Sequence, residues 1–151
     1  MAVLHVLTGS NPILKQKALS VTAFDAGLET LLSDMLETMR VYEGVGLAAT
    51  QVGILQRVLV AEYRKCLLKL INPVIVFRKG SVTAEEGCLS LPDVRLMVER
   101  ASHIVVEAQL PDGSPVSLPL KGFMARIMQH ELDHLDGVLI IDRSSILAPA
   151  L

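Results

Sequence analysis

The segment Gln129-His130-Glu131-Leu132-Asp133-His134 holds the residues best suited to chemistry. Its spacing is H-E-x-x-H. Residues four apart on a helix share a face, with Cβ atoms about 5–6 Å apart, so two imidazoles there can reach one ion. Glu131, one residue past the first ring, can address a water on that ion without binding the ion itself. A helix that buries Phe123 and Ile127 carries His130, Glu131 and His134 inward. Imidazole and carboxylate groups in an interior are costly unless paired or bound to a metal.

A metal hydrolase commonly uses three protein ligands and leaves one position for water. The helix supplies two. Cys66, Cys88, His103, Glu85, Glu86, Asp133 and Asp136 are open as the third. Asp133 faces another side of the helix, and Cys66 reads as ordinary packing or surface at a strand start. Cys88 sits in Glu85-Glu86-Gly87-Cys88-Leu89-Ser90, where Gly87 allows the backbone a close approach. A thiolate there would complete a Cys-His-His set, although a free cysteine is equally at home as a small buried hydrophobe.

Gly44-Val45-Gly46-Leu47-Ala48-Ala49-Thr50-Gln51 superficially satisfies a dinucleotide fingerprint, but that motif needs a strand before it and a helix after it. Here a helical pattern precedes it. The segment reads instead as backbone lying close to another object, with Gln51 able to aim an amide at it.

The elements that position these groups follow from periodicity. Leu28, Leu31, Leu32, Met35, Leu36 and Met39 recur at three- and four-residue spacing and predict an amphipathic helix from Ala26 to Tyr42. Asp25 is its expected N-cap. The second helix is expected from Gly122 to Leu135, ending at Gly137, a residue that takes the left-handed position freely. Strands are expected at Val3–Leu7, Arg57–Glu62, Leu67–Ile71, Val74–Phe77, Ile104–Gln109, Pro115–Leu120 and Val138–Ile141. Asn72-Pro73 is expected to divide two of them. Short connections favour antiparallel pairing, so the fold class is α+β.

Bulk properties narrow the function. The 151 residues suit one domain, read as 1–151, and a chain of this size buries about two thirds of its unfolded surface. Two cysteines are too few for a disulfide scaffold. With 14 basic and 16 acidic residues and no basic stripe, a direct nucleic-acid site is not expected. The uncharged stretch from Gly44 to Gln56 is too short to span a membrane, and Met1–Leu7 lacks the basic region of a signal peptide. The expected location is the cytoplasm.

Taken together, three motifs resemble those of the peptide deformylases. Gly44 to Gln51 matches G-x-G-x-A-A-x-Q, Glu86 to Ser90 matches E-G-C-x-S, and His130 to His134 matches H-E-x-D-H. The resemblance implies that Cys88, His130 and His134 bind one divalent metal, with Fe²⁺ favoured and Zn²⁺, Ni²⁺ or Co²⁺ possible. It implies that Glu131 is the general acid/base, and that the Gln51 amide and the Leu89 N–H stabilise the carbonyl oxygen under attack. Gly44, Val45, Gly46, Ala84, Glu86, Gly87, Phe123, Arg126 and Ile127 would line the substrate. Among these, Val45, Ala84, Phe123, Arg126 and Ile127 match the methionine pocket. Arg126 stands where an aliphatic residue is usual and is expected to turn outward with its charge in water; Ala84 is smaller than the usual Ile. The implied reaction is removal of formyl from the N-terminal methionine of nascent, ribosome-associated chains by a monomer. Two alternatives keep the same fold: a non-catalytic binding module, and an amidase of altered N-acyl or side-chain specificity. An internal metallopeptidase shares H-E-x-x-H, but the third downstream histidine that would favour it is missing.

Overall fold

The computed structural model describes residues 2–144, 146 and 147. In chain order it contains α1 (Ala26–Val41), β1 (Gly46–Ala48), β2 (Val58–Tyr63), β3 (Cys66–Lys79), β4 (Val82–Cys88), β5 (Leu91–Arg100), β6 (His103–Gln109), β7 (Pro115–Lys121), α2 (Gly122–Leu135), α3 (Ile140–Arg143) and β8 (Ile146–Leu147). Short 3₁₀ turns occupy Pro12–Lys15 and Ala49–Val52. One sheet runs β1-β2-β3-β6-β7 and a second runs β4-β5-β8, every pair antiparallel. The architecture is α+β.

Alternation along the strands places a helix on each face of the larger sheet. Val58, Val60 and Ile71 pack with Leu32, Met35 and Met39 of α1. Leu59, Leu70, Ile104 and Val106 pack with Ala125, Met128, Leu132 and Leu135 of α2. Side chains one residue apart point to opposite faces, so β2 serves both layers and is fully buried from Val58 to Ala61. Each large aliphatic side chain buried this way contributes about 1.5–3 kcal/mol. Since aromatics are 3% of the sequence, this aliphatic packing is the main source of cohesion.

The ends of both helices are tied down. The Asp25 carboxylate accepts a hydrogen bond from Leu28 N–H at 3.1 Å, satisfying one orphan donor of α1. At the end of α2, the Arg57 guanidinium donates to Leu135 O (3.0 Å) and to Asp136 (2.9 Å). Gly137 takes φ +75°, and a Cβ there would lie 2.5 Å from Lys15 O.

Several expected strands take other forms. Val3–Leu7 joins no sheet; its backbone is held singly, through Leu4 N–H to Thr38 Oγ1 (2.8 Å) and Leu7 N–H to Gln51 O (2.7 Å). Asn72-Pro73 does not divide the chain but forms an irregularity within one long strand, β3. Asn72 adopts φ +53°, and its amide bonds Val21 and Gln109, holding the kink where a turn would otherwise begin. Val138–Ile141 is not a strand. The Asp142 carboxylate accepts from Leu139 N–H (2.9 Å) and starts α3 there. Strands β4 and β5 were not expected. Of the tail, Ser145 and residues 148–151 lie outside the described residues, as does Met1.

Candidate active site

Two elements from different parts of the fold converge on one point. Helix α2 presents His130 and His134, four residues apart, and β4 ends at Cys88. Cys88 Sγ lies 3.2 Å from His134 Nε2, which lies 3.2 Å from His130 Nε2. All three ligand atoms fall within 4.8 Å of one another. Metal bonds of about 2.0–2.1 Å to nitrogen and 2.3 Å to sulfur, at tetrahedral angles, place such atoms roughly 3.3–3.6 Å apart. The three donors therefore fit one ion after small adjustment. A thiolate with two imidazoles suits Zn²⁺, Fe²⁺, Ni²⁺ or Co²⁺. The other candidates are elsewhere or committed to other partners. Cys66 is exposed, Asp133 pairs with Arg100 and Arg143, Asp136 with Arg57, and Glu85 with Arg95. The His103 ring bonds Ser102.

Burial and neighbouring charges shift the groups around this point in different directions. Burial alone would lower His130, but the negative charge of Glu131 and hydrogen bonds with Cys88 and Glu86 raise it to about 10. Burial, with the charge on His130, drives His134 well below the ordinary histidine range. Burial pushes the Glu131 carboxyl up to about 7, against the opposing pull of His130 and Arg100. Among the described residues, buried Glu131 Oε1 has no hydrogen-bond partner, and neither has His134 Nδ1. An orphaned buried oxygen beside three convergent donors is the signature of a site built around something besides protein.

Glu86 stands behind the histidine. It accepts from His130 Nδ1 (2.9 Å), which leaves Nε2 free to face Cys88 and His134. Burial opposes its ionisation, yet hydrogen bonds from His130 and Arg100, and the charge of Arg100, hold it down at about 2. Its carboxylate is held by His130, Arg100 and Arg126, while the residue also lines the cavity beside the donors. The expected orientation is corrected for Arg126. It is not turned to water but buried at 7% exposure, bonded to Glu86 and to the carbonyls of Val82 (2.6 Å) and Val98 (3.0 Å).

The 3₁₀ turn after β1 brings up Gln51. Ala48 N–H donates to its Oε1 at 3.0 Å, which fixes the amide orientation. Its Nε2 then faces Ser90 Oγ (3.1 Å) and Cys88 Sγ (3.8 Å). Gly46 is packed against Glu131, and a Cβ there would sit 2.5 Å from Oε2 and 2.9 Å from Cγ and Cδ. At Gly87 a Cβ would meet the Arg95 guanidinium at 3.1 Å.

A cavity of about 450 Å³ opens beside the donors. Gly44, Val45, Gly46, Gln51, Glu86, Gly87, Cys88, Leu89, Phe123, Arg126, Ile127, His130 and Glu131 all line it. Ala84 does not: it pairs with Val98 in the β4–β5 ladder. Phe123 is not buried as expected; it is 46% exposed at the cavity, with its ring 4.8 Å from that of Tyr63. Val94 and Arg95 on β5, and Glu43, also line the cavity and were missed. The alternation Leu96-x-Val98 could have revealed β5, but the next inward residue, Arg100, is charged and breaks the apolar signal.

An α+β chain with a thiolate, two imidazoles and a buried carboxylate around one point is of the metal-dependent hydrolase class. The family profile described as polypeptide deformylase matches residues 3–149. The peptide deformylase of Dictyoglomus thermophilum is 48% identical over 134 residues, covering 89% of this chain and 88% of that one. Peptide deformylase 1 of Bacillus subtilis is 46% identical over 147 residues, covering 96% and 92%. The crystal structure of the Thermotoga maritima peptide deformylase superposes with a TM-score of 0.93 at 42% identity, covering 99% of this chain and all of the other. This chain belongs to the polypeptide deformylase family.

Proposed function

We propose that this protein removes the formyl group from the N-terminal formylmethionine of new polypeptides, releasing formate. The observation that carries the reading is the convergence of Cys88, His130 and His134 within 4.8 Å, beside the unpartnered carboxylate oxygen of Glu131. Cys88, His130 and His134 hold the metal, for which Fe²⁺ is our choice among the ions this donor set accepts. Bound there, a divalent ion supplies Lewis acidity and makes water acidic enough to give hydroxide near neutral pH.

The chain's own groups do the rest. Glu131 accepts the proton of the attacking water on its carboxylate, and a general base is most effective near the working pH. As the water oxygen bonds to the formyl carbon, charge gathers on the formyl oxygen. The Gln51 Nε2–H and the Leu89 backbone N–H donate to it, and Gln51 needs little reorganisation because Ala48 already holds its amide. Glu131 then delivers its proton to the nitrogen as the C–N bond breaks, leaving formate and a free α-amine. Gly44, Val45, Gly46, Gly87, Phe123 and Ile127 form the wall for the methionine and the adjoining backbone. We place the reaction in the cytoplasm, on nascent chains at the ribosome, with a monomeric enzyme of one catalytic domain.

Formate release from formyl-Met peptides tests the reading, using protein loaded anaerobically with Fe²⁺ or with Ni²⁺. Turnover of formyl-Met well above acetyl-Met is expected. Metal bound one-to-one with no formate released would overturn it and favour a non-catalytic binding module. Comparable cleavage of both peptides would mean a broader amidase.

A further inference from the structure

The metal donors are divided between two elements, Cys88 on β4 and both histidines on α2, and something must hold those elements in register. We infer that Arg126 is a positioning residue for the metal centre: it clamps Glu86, and through it His130, to the β4–β5 hairpin. This rests on the metal-dependent reading above.

Three arginines serve the buried acids here. Arg100 is divided, with Nε and Nη2 on Glu86 and Nη1 on Asp133. Arg143 donates from Nε and Nη2 to Asp133. Among the described residues, Arg126 is the guanidinium whose ion pair is with Glu86 alone. Glu86 Oε2 takes Arg126, while Oε1 takes His130 Nδ1. Arg126 also donates to Val82 O on β4 and Val98 O on β5. Ala84 pairs with Val98 and Val82 with Arg100, so the two carbonyls lie on adjacent strands of one ladder. Three acceptors on two strands fix the planar head of one side chain rooted in α2, a task suited to a rigid fork of donors and not to a point charge. Arg126 sits one turn before His130 on that helix. Its head is therefore spent on the hairpin that carries Cys88, although its side chain also borders the cavity.

The test compares the parent with Arg126→Met, which keeps the stem and removes the donors, and Arg126→Lys, which restores charge without the fork. Each is loaded with Co²⁺. Affinity is measured by competition with a chelator, the cobalt–thiolate absorption is recorded, and kcat and KM for a formyl-Met peptide follow. Loss of an outer partner of a metal ligand typically weakens binding about 10–100-fold. For Arg126→Met we expect roughly a tenfold loss of Co²⁺ affinity and a shifted thiolate band, with KM within about twofold of the parent. Arg126→Lys should recover part of the affinity. If Arg126→Met does not fold, the lysine variant decides alone, since its weaker metal binding at unchanged KM is the same signature. Unchanged affinity and spectrum with a raised KM would overturn the inference and make Arg126 part of the substrate wall. A parent that binds Co²⁺ at these ligands but releases no formate would defeat the functional reading and leave the affinity comparison intact. A parent that binds no Co²⁺ would overturn both.

Discussion

Gly46→Ala tests the placement of Glu131. The added Cβ would lie 2.5 Å from Glu131 Oε2 and 2.9 Å from Cγ and Cδ. Unstrained carbon contacts begin at roughly 3.5 Å, so the carboxylate must retreat by about 1 Å. Gly46 is not in the left-handed region, so backbone strain adds nothing. The contacts include Cγ as well as the carboxylate end, so turning the carboxylate alone does not relieve them, and an overpacked core commonly loses about 1–3 kcal/mol. A misplacement of about 1 Å in a reacting group can cost on the order of 10²-fold in rate. We expect kcat for formate release to fall by about that factor, with metal content unchanged and Tm lowered. Gly44→Ala is the comparison for stability: its Cβ would press on the movable Leu89 Cδ1 at 3.0 Å and meet Met39 O and Gly46 O at ordinary contact, 3.6 and 3.7 Å, so Tm should fall less than in Gly46→Ala. The reasoning fails if metal-loaded Gly46→Ala turns over within about threefold of the parent, a change too small for a displacement of that size.

Other outcomes follow from the same geometry. Glu131→Gln should retain stoichiometric metal while losing about 10²–10⁴-fold in kcat, the usual contribution of a positioned proton-transfer group; metal analysis beside a formate assay checks both halves. Gly137→Ala combines φ +75° with a Cβ 2.5 Å from Lys15 O, so thermal unfolding should show a loss of about 1–3 kcal/mol with kcat of the folded fraction unchanged. The Asp142 carboxyl is held below its usual range by hydrogen bonds from Lys15 and the Leu139 N–H. Its stabilising effect is therefore complete above the unfolded pKa of about 4 and disappears as acid protonates it. Parent and Asp142→Asn should differ in Tm at neutral pH and converge in acid.

Much of the scaffold is legible in residue order because its determinants are local. The three- and four-residue recurrence from Leu28 to Met39 and the Asp25 cap make α1, and α2 follows from the run between Gly122 and Leu135. The two histidines share a face because helical geometry alone puts them there. Cys88 is different. Local sequence left it as apt to be packing as a ligand, and family resemblance raised it; its 3.2 Å approach to His134 depends on how β4 ends against a helix more than forty residues later.

Chain order alone determined that two imidazoles and a carboxylate would sit together on one helix, since a 3.6-residue period is enough for that. The partners of Arg126 and Glu86 are set by the packed fold. A charged residue in an amphipathic pattern reads as facing water, because water is the nearest favourable partner that a sequence implies. Here the partners are Glu86 and two strand carbonyls brought from elsewhere in the chain, and an ion pair between distant residues has no local signal. Another buried charge hides β5, whose inward Arg100 interrupts the apolar alternation by which strands are recognised.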